Sequence, residues 1–171
     1  MPSRSPRASR ALAVAVLAVV TVGLGGCSAI QGLLGGDQVA RDADTQQVTE
    51  AGSADVFNLH IGDCFDDESA SEITDVPAVP CADAHDNEVY YLFDLPDGEY
   101  PGADAVSSGA DEGCAAQFES FAGIAYESST LDWFTITPTE ETWNSLNDRE
   151  VICSIYDPAG KTSGSLAGVA R

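Results

Sequence analysis

Positive charge is scarce in this chain: seven Lys and Arg stand against 28 Asp and Glu, a formal net charge of −21. Arg4, Arg7 and Arg10 lie in the first ten residues, which leaves Arg41, Arg149, Lys161 and Arg171 for everything after residue 26. Binding to phosphates needs Lys and Arg to displace counterions, so a nucleic-acid partner is excluded, as is electrostatic docking on anionic lipid headgroups. Gly-x-Ser-x-Gly and Ser-x-x-Lys are both missing, which removes the common serine-nucleophile patterns. Cys-x-x-Cys is missing too, so close thiolate pairs for zinc or redox chemistry are lacking. Nor is there an Asp-x-Asp-x-Asp-Gly loop; Asp66, Asp67 and Glu68 are adjacent and cannot all turn toward one calcium ion.

What is present begins with an address. After the three arginines runs an apolar stretch from Ala11 to Val22, too short for the roughly 20 residues that a bilayer core requires. A basic start and a short apolar core describe a signal peptide. It closes on Leu24-Gly25-Gly26-Cys27, which resembles a bacterial lipobox. In such signals residues 1–26 are removed and Cys27 carries diacylglycerol, with palmitate-type acyl chains. Two or more chains hold a protein stably on a bilayer where one does not. The expected location is therefore the extracellular face of the cell membrane, lipid-anchored.

Residues 28–55 have few large apolar side chains, and no aromatic occurs between Gly35 and Asp55. Such a composition offers too little burial to offset chain ordering, so residues 27–55 read as a flexible tether with a span on the order of 30 Å. One domain is expected over 56–171. Within it Glu88–Leu95 is rich in β-branched and aromatic residues and ends at the turn Pro96-Asp97-Gly98, so it reads as a strand. Leu131–Thr137 and Arg149–Tyr156 read as two more. Cys114, Phe118 and Phe121 share a helical face within about 111–122. Thr137-Pro138-Thr139-Glu140 fits a capping box opening a short helix over about 138–145. The fold class is α+β: a small antiparallel or mixed sheet with one main and one short helix.

Cys64, Cys81, Cys114 and Cys153 form an even set in an exported domain, where thiols are oxidised. Three pairings are open; we favour Cys64–Cys81 and Cys114–Cys153, the second pinning the helix to the last strand. No metal or other cofactor is expected.

Several blocks then occur in order: Ile61-Gly62-Asp63-Cys64-Phe65, Val79-Pro80-Cys81, His85-Asp86-Asn87-Glu88-Val89-Tyr90, Tyr100-Pro101-Gly102, Pro138-Thr139-Glu140-Glu141-Thr142-Trp143, Asp148-Arg149-Glu150-Val151-Ile152-Cys153 and Gly164-Ser165-Leu166. They resemble the septum-formation-related domain of exported and membrane-anchored proteins in high-GC Gram-positive bacteria, over about residues 56–170. Ala84 stands where family members often carry a proline. The resemblance implies a cell-envelope role linked to division septa and brings no catalytic residues with it.

The candidate binding surface is His85, Asp86, Glu88, Trp143 and Arg149. His85 lies among Asp83, Asp86 and Glu88, a setting for a structural turn histidine, a metal ligand or a general base. Trp143 beside Glu140 and Glu141 could stack on a sugar, but acids at a helix start already complement its dipole, and the tryptophan reads as core. Arg149 is expected to pair with Asp148, Glu150 or a cross-strand acid. The reading that follows is a non-catalytic envelope lipoprotein that binds an envelope or division protein or a wall component. Its rivals are a wall-maturation enzyme and a calcium- or metal-binding module built on His85 and nearby carboxylates.

Overall fold

A computed structural model describes residues 39–69 and 73–171; the expected signal peptide, Cys27 and the start of the expected tether lie outside them. Ten strands and two helices form the fold: β1 (Ala40–Arg41), β2 (Val48–Glu50), β3 (Gly52–Asp55), β4 (Cys64–Phe65), β5 (Asp75–Val79), β6 (Ala84–His85), β7 (Asn87–Asp94), α1 (Ala103–Ala122), β8 (Asp132–Ile136), α2 (Glu140–Ser145), β9 (Glu150–Tyr156) and β10 (Thr162–Ser163). Six of them make one antiparallel sheet in the order β3-β5-β4-β7-β9-β8. The α+β expectation holds, and so do both disulfides, Cys64–Cys81 and Cys114–Cys153, with Cα separations of 5.2 and 5.6 Å. No helix among the described residues is long and apolar enough to cross a membrane.

Alternation along β9 assigns the two faces of the sheet. Val151, Cys153 and Ile155 point toward α1 and join Tyr90, Leu131 and Leu166 in a first core. Ile152 points the other way into a second core with Val56, Phe65, Val76 and Val89. Val89 and Tyr90 bury on opposite sides by ordinary alternation, and a register shift between Val89 and Tyr91 then puts adjacent Tyr90 and Tyr91 on the same, first-core side, Tyr91 resuming the ladder opposite Cys153. On the second face the sheet curls. β4 and β8 are separated by two strands, a flat-sheet distance of about 14 Å, yet the Phe65 and Phe134 ring centroids lie 6.5 Å apart.

The main helix is longer than 111–122. Val106, Ala110, Cys114, Phe118 and Ala122 recur every fourth residue and bury on one face. Its first half, with Ser107, Ser108 and Gly109, has weak helix propensity, and packing against the sheet carries it. Gly113 allows the closest approach: a Cβ there would lie 2.2 Å from the Phe93 ring. Gly123, at φ 79°, closes the helix in the left-handed conformation, its N–H donating to the Glu119 carbonyl. In α2 the cap is Thr139, not Thr137. Thr139 Oγ1 accepts from the Thr142 N–H and Thr142 Oγ1 accepts from the Thr139 N–H, so a hydroxyl does the work expected of Glu140, and Pro138 precedes the cap.

The largest departure is at the expected tether. Residues 40–55 form β1, β2 and β3, and β3 pairs with β5 in register from Gly52 opposite Ala78 to Asp55 opposite Asp75. Val48 and Ala54 bury in the second core, and Arg41 Nη1 donates to the buried Asp63 carboxylate at 2.7 Å. Two small apolar side chains and a long-range ladder suffice where no local apolar run exists.

Candidate functional site

The resembling blocks converge on a sealed polar cluster. β4 pairs with β7 so that Cys64 faces Glu88, and β10 pairs with β6 so that Thr162 faces His85. Cys64 Sγ, a ring nitrogen of His85 and a carboxylate oxygen of Glu88 lie within 4.8 Å of one another, all buried. Cysteine ligates metals as a thiolate, and this sulfur is bonded to Cys81, so the trio does not fit a metal in the oxidised protein.

Both nitrogens of His85 are engaged. Nδ1 lies 2.9 Å from the Asp83 carbonyl and Nε2 lies 3.3 Å from Thr162 Oγ1. A carbonyl only accepts, so Nδ1 carries a proton. Glu88 is clamped by the C-terminal segment, one oxygen accepting from Ser165 Oγ at 2.7 Å and the other from the Leu166 N–H at 2.6 Å. Burial holds its carboxyl above the ordinary glutamate range, against the opposing pull of these two bonds and of His85. His85 is 0 % and Glu88 1 % exposed, so neither meets a solute without opening the fold.

Trp143 and Arg149 form a second cluster, also inside. The Arg149 guanidinium lies 3.7 Å over the Trp143 ring, and Trp143 Nε1 donates to the Gly98 carbonyl at 3.0 Å. Arg149 Nη1 donates to the carbonyls of Trp143 and Asp148 at 3.1 and 2.7 Å. Its ion partner is the exposed Asp97, 3.6 Å away, and not the side chain of Asp148 or Glu150. The arrangement ties α2 and β9 to the Pro96-Asp97-Gly98 turn. Of the five residues expected to form one binding surface, four are buried at two separate places; Asp86 alone reaches solvent, where Lys161 lies 3.5 Å from it. The acidic loop is likewise engaged: Asp66 pairs with Lys161 and Asp67 accepts from Asn87.

Missed in the sequence is an open cleft of about 630 Å³ between the two ends of the curled sheet. Phe57 and Ile73 line it beside the β3 end, and Ile136 and Ile152 line it at the β8 end. Glu140, Glu141 and Asp148 complete one side. The cleft joins segments that are distant in sequence, and seven of its contributors, Val56, Ile73 and Thr135 among them, lie outside the blocks quoted above.

A family model described as septum formation matches residues 31–156. No curated protein and no solved structure matches the chain.

Proposed function

This chain belongs to the septum-formation family, and from that premise we propose that it is a lipid-anchored envelope protein whose domain acts by binding, not by catalysis. One observation carries the reading: His85 and Glu88, the pair best suited to acid–base work, are fully buried and spent on internal bonds beneath a disulfide. A general base must reach the proton it takes. The anchor rests on Leu24-Gly25-Gly26-Cys27 and the basic, apolar segment before it. The partner is an envelope or division protein, or a wall component, met on the outer face of the membrane.

Complementation of a deletion strain tests both parts. Cys27→Ser should release the protein from the membrane fraction, and retention there would refute the anchor. His85→Ala should impair septation only as far as it lowers thermal stability. Lost septation with an unchanged melting temperature would overturn the non-catalytic reading and favour chemistry at His85.

A further inference from the structure

Resting on the reading of a binding domain, we infer that the cleft between the sheet ends takes an extended segment of another protein, carrying alternating apolar and cationic side chains, as an added strand on β8. β8 pairs with β9 on one side and ends the sheet on the other. The Trp133 N–H donates to the Asp132 carboxylate at 2.9 Å, which sets it on the free side of the strand. Strand amides alternate, so the Thr135 N–H faces the same way, toward the cleft that Thr135 lines. A row of such groups is a template for a further strand.

The walls specify the side chains of that strand. Phe57, 48 % exposed, with Ile73, Ile136 and Ile152, offers apolar contact to every second residue. Glu140 and Glu141 are exposed, and Asp148 is half-buried beside them. Positive charge to balance these acids is lacking among the described residues. Arg41 pairs with Asp63, Arg149 with Asp97, Lys161 with Asp66, and Arg171 with Asp157. A second copy brings the same acidic surface and is repelled, whereas a cationic partner gains on approach and on docking.

Binding of the disulfide-bonded full chain to a blocked synthetic peptide of alternating valine and lysine tests this, with a valine–glutamate peptide as control. The lysine peptide should bind and weaken as salt rises, and the glutamate peptide should not bind. Glu140→Gln with Glu141→Gln should weaken binding about fivefold, the sum of two surface ion pairs. Thr135→Pro removes an edge amide at a place where strands tolerate proline and should weaken it about tenfold. If that variant loses its melting transition, Phe57→Ser takes its place, with an expected loss of about fivefold from the exposed ring. Equal binding of both peptides, or none, or unchanged affinity in these variants, overturns the proposal. So does a monomer–dimer equilibrium abolished by Thr135→Pro, which would assign the edge to a second copy. Photocrosslinkers in cells at Thr137, in the cleft, and at Ile61, which does not line it, separate the two levels. Capture at Thr137 that the lysine peptide displaces supports the cleft. Capture at Ile61 alone overturns the cleft and leaves the binding domain standing, whereas capture at neither overturns both.

Discussion

Replacing Glu88 separates a structural carboxylate from a reactive one. Glu88→Ala leaves the buried Leu166 N–H without its acceptor and frees Ser165 Oγ, which then keeps only the Ala167 N–H as a donor to it. A stranded buried N–H costs about 1–3 kcal/mol and a lost hydrogen bond about 1. Release of a buried carboxylate offsets part of this, so the net destabilisation should be about 1–3 kcal/mol, or about 3–9 °C in melting temperature for a chain of this size. Glu88→Gln is different. Its carbonyl accepts from the Leu166 N–H, its amide donates to Ser165 Oγ, and no charge is buried, so stability at pH 7 should stay within about 1 kcal/mol of the native chain. The pH dependence has a defined sign. Burial raises the Glu88 carboxyl above its ordinary 4.5, so the folded state holds the proton more tightly than the unfolded state. The stabilisation this brings is complete below 4.5 and is lost as pH rises through the folded value. Across that window the native chain should lose stability relative to Glu88→Gln. Thermal unfolding followed by circular dichroism between pH 4 and 8 measures all three proteins. Equal melting of the Ala and Gln variants, or a native chain that gains on Gln as pH rises, would refute the clamp.

Gly113→Ala and Gly109→Ala make a matched pair on α1. Helical Gly→Ala ordinarily stabilises by about 0.5–1 kcal/mol. At Gly109 the new methyl meets only the far end of Leu95 at 3.0 Å and that gain should survive, while at Gly113 it meets the Phe93 ring at 2.2 Å and should cost about 1–3 kcal/mol in denaturant unfolding. Arg149→Lys keeps the charge but loses the planar fork that reaches the Trp143 and Asp148 carbonyls; we expect a loss of about 1–2 kcal/mol and a changed near-ultraviolet spectrum from Trp143, and an unaltered spectrum would refute the stacked clamp. Replacing Cys114 and Cys153 together by Ala opens a separation of 39 residues and should cost about 4 kcal/mol, against about 3 for Cys64 and Cys81 at 17, read from urea midpoints.

What was legible in the sequence was local. Glu88–Leu95, Leu131–Thr137 and Arg149–Tyr156 carry their own alternation or β-rich composition, and the structure places β7, β8 and β9 within one residue of them at each end. Cys114, Phe118 and Phe121 marked the second half of α1, where the periodic side chains are large; Val106 and Ala110 extend the same face with side chains too small to stand out. The pairing of the cysteines was read from their even number and from the exterior address that the first 27 residues lead one to expect. What stayed hidden depends on distant partners. Gly52–Asp55 is a strand because Asp75–Val79 lies beside it, and nothing within those four residues says so. Glu88 was placed among candidate surface groups because its strand is local, while the Ser165–Leu166 clamp that buries it is more than 70 residues away.

The two sites also answer different physical problems with the same sheet. At the middle of the sheet, Cys64 on β4 and Glu88 on β7 sit where strands pair on both sides, so every polar atom must find an internal partner, and the disulfide, His85 and the C-terminal segment supply them. At its ends the sheet curls without closing. A barrel would remove both edges, but here α2 and the 3₁₀ turn at Val56–Asn58 stand beside the gap and leave it open. Natural sheets commonly blunt an edge with charge or proline. β8 carries Asp132 at its start, while Pro138 comes only after Thr135 and Ile136 have lined the cleft. The stretch between those two guards is the part of the β8 edge that a partner strand can reach.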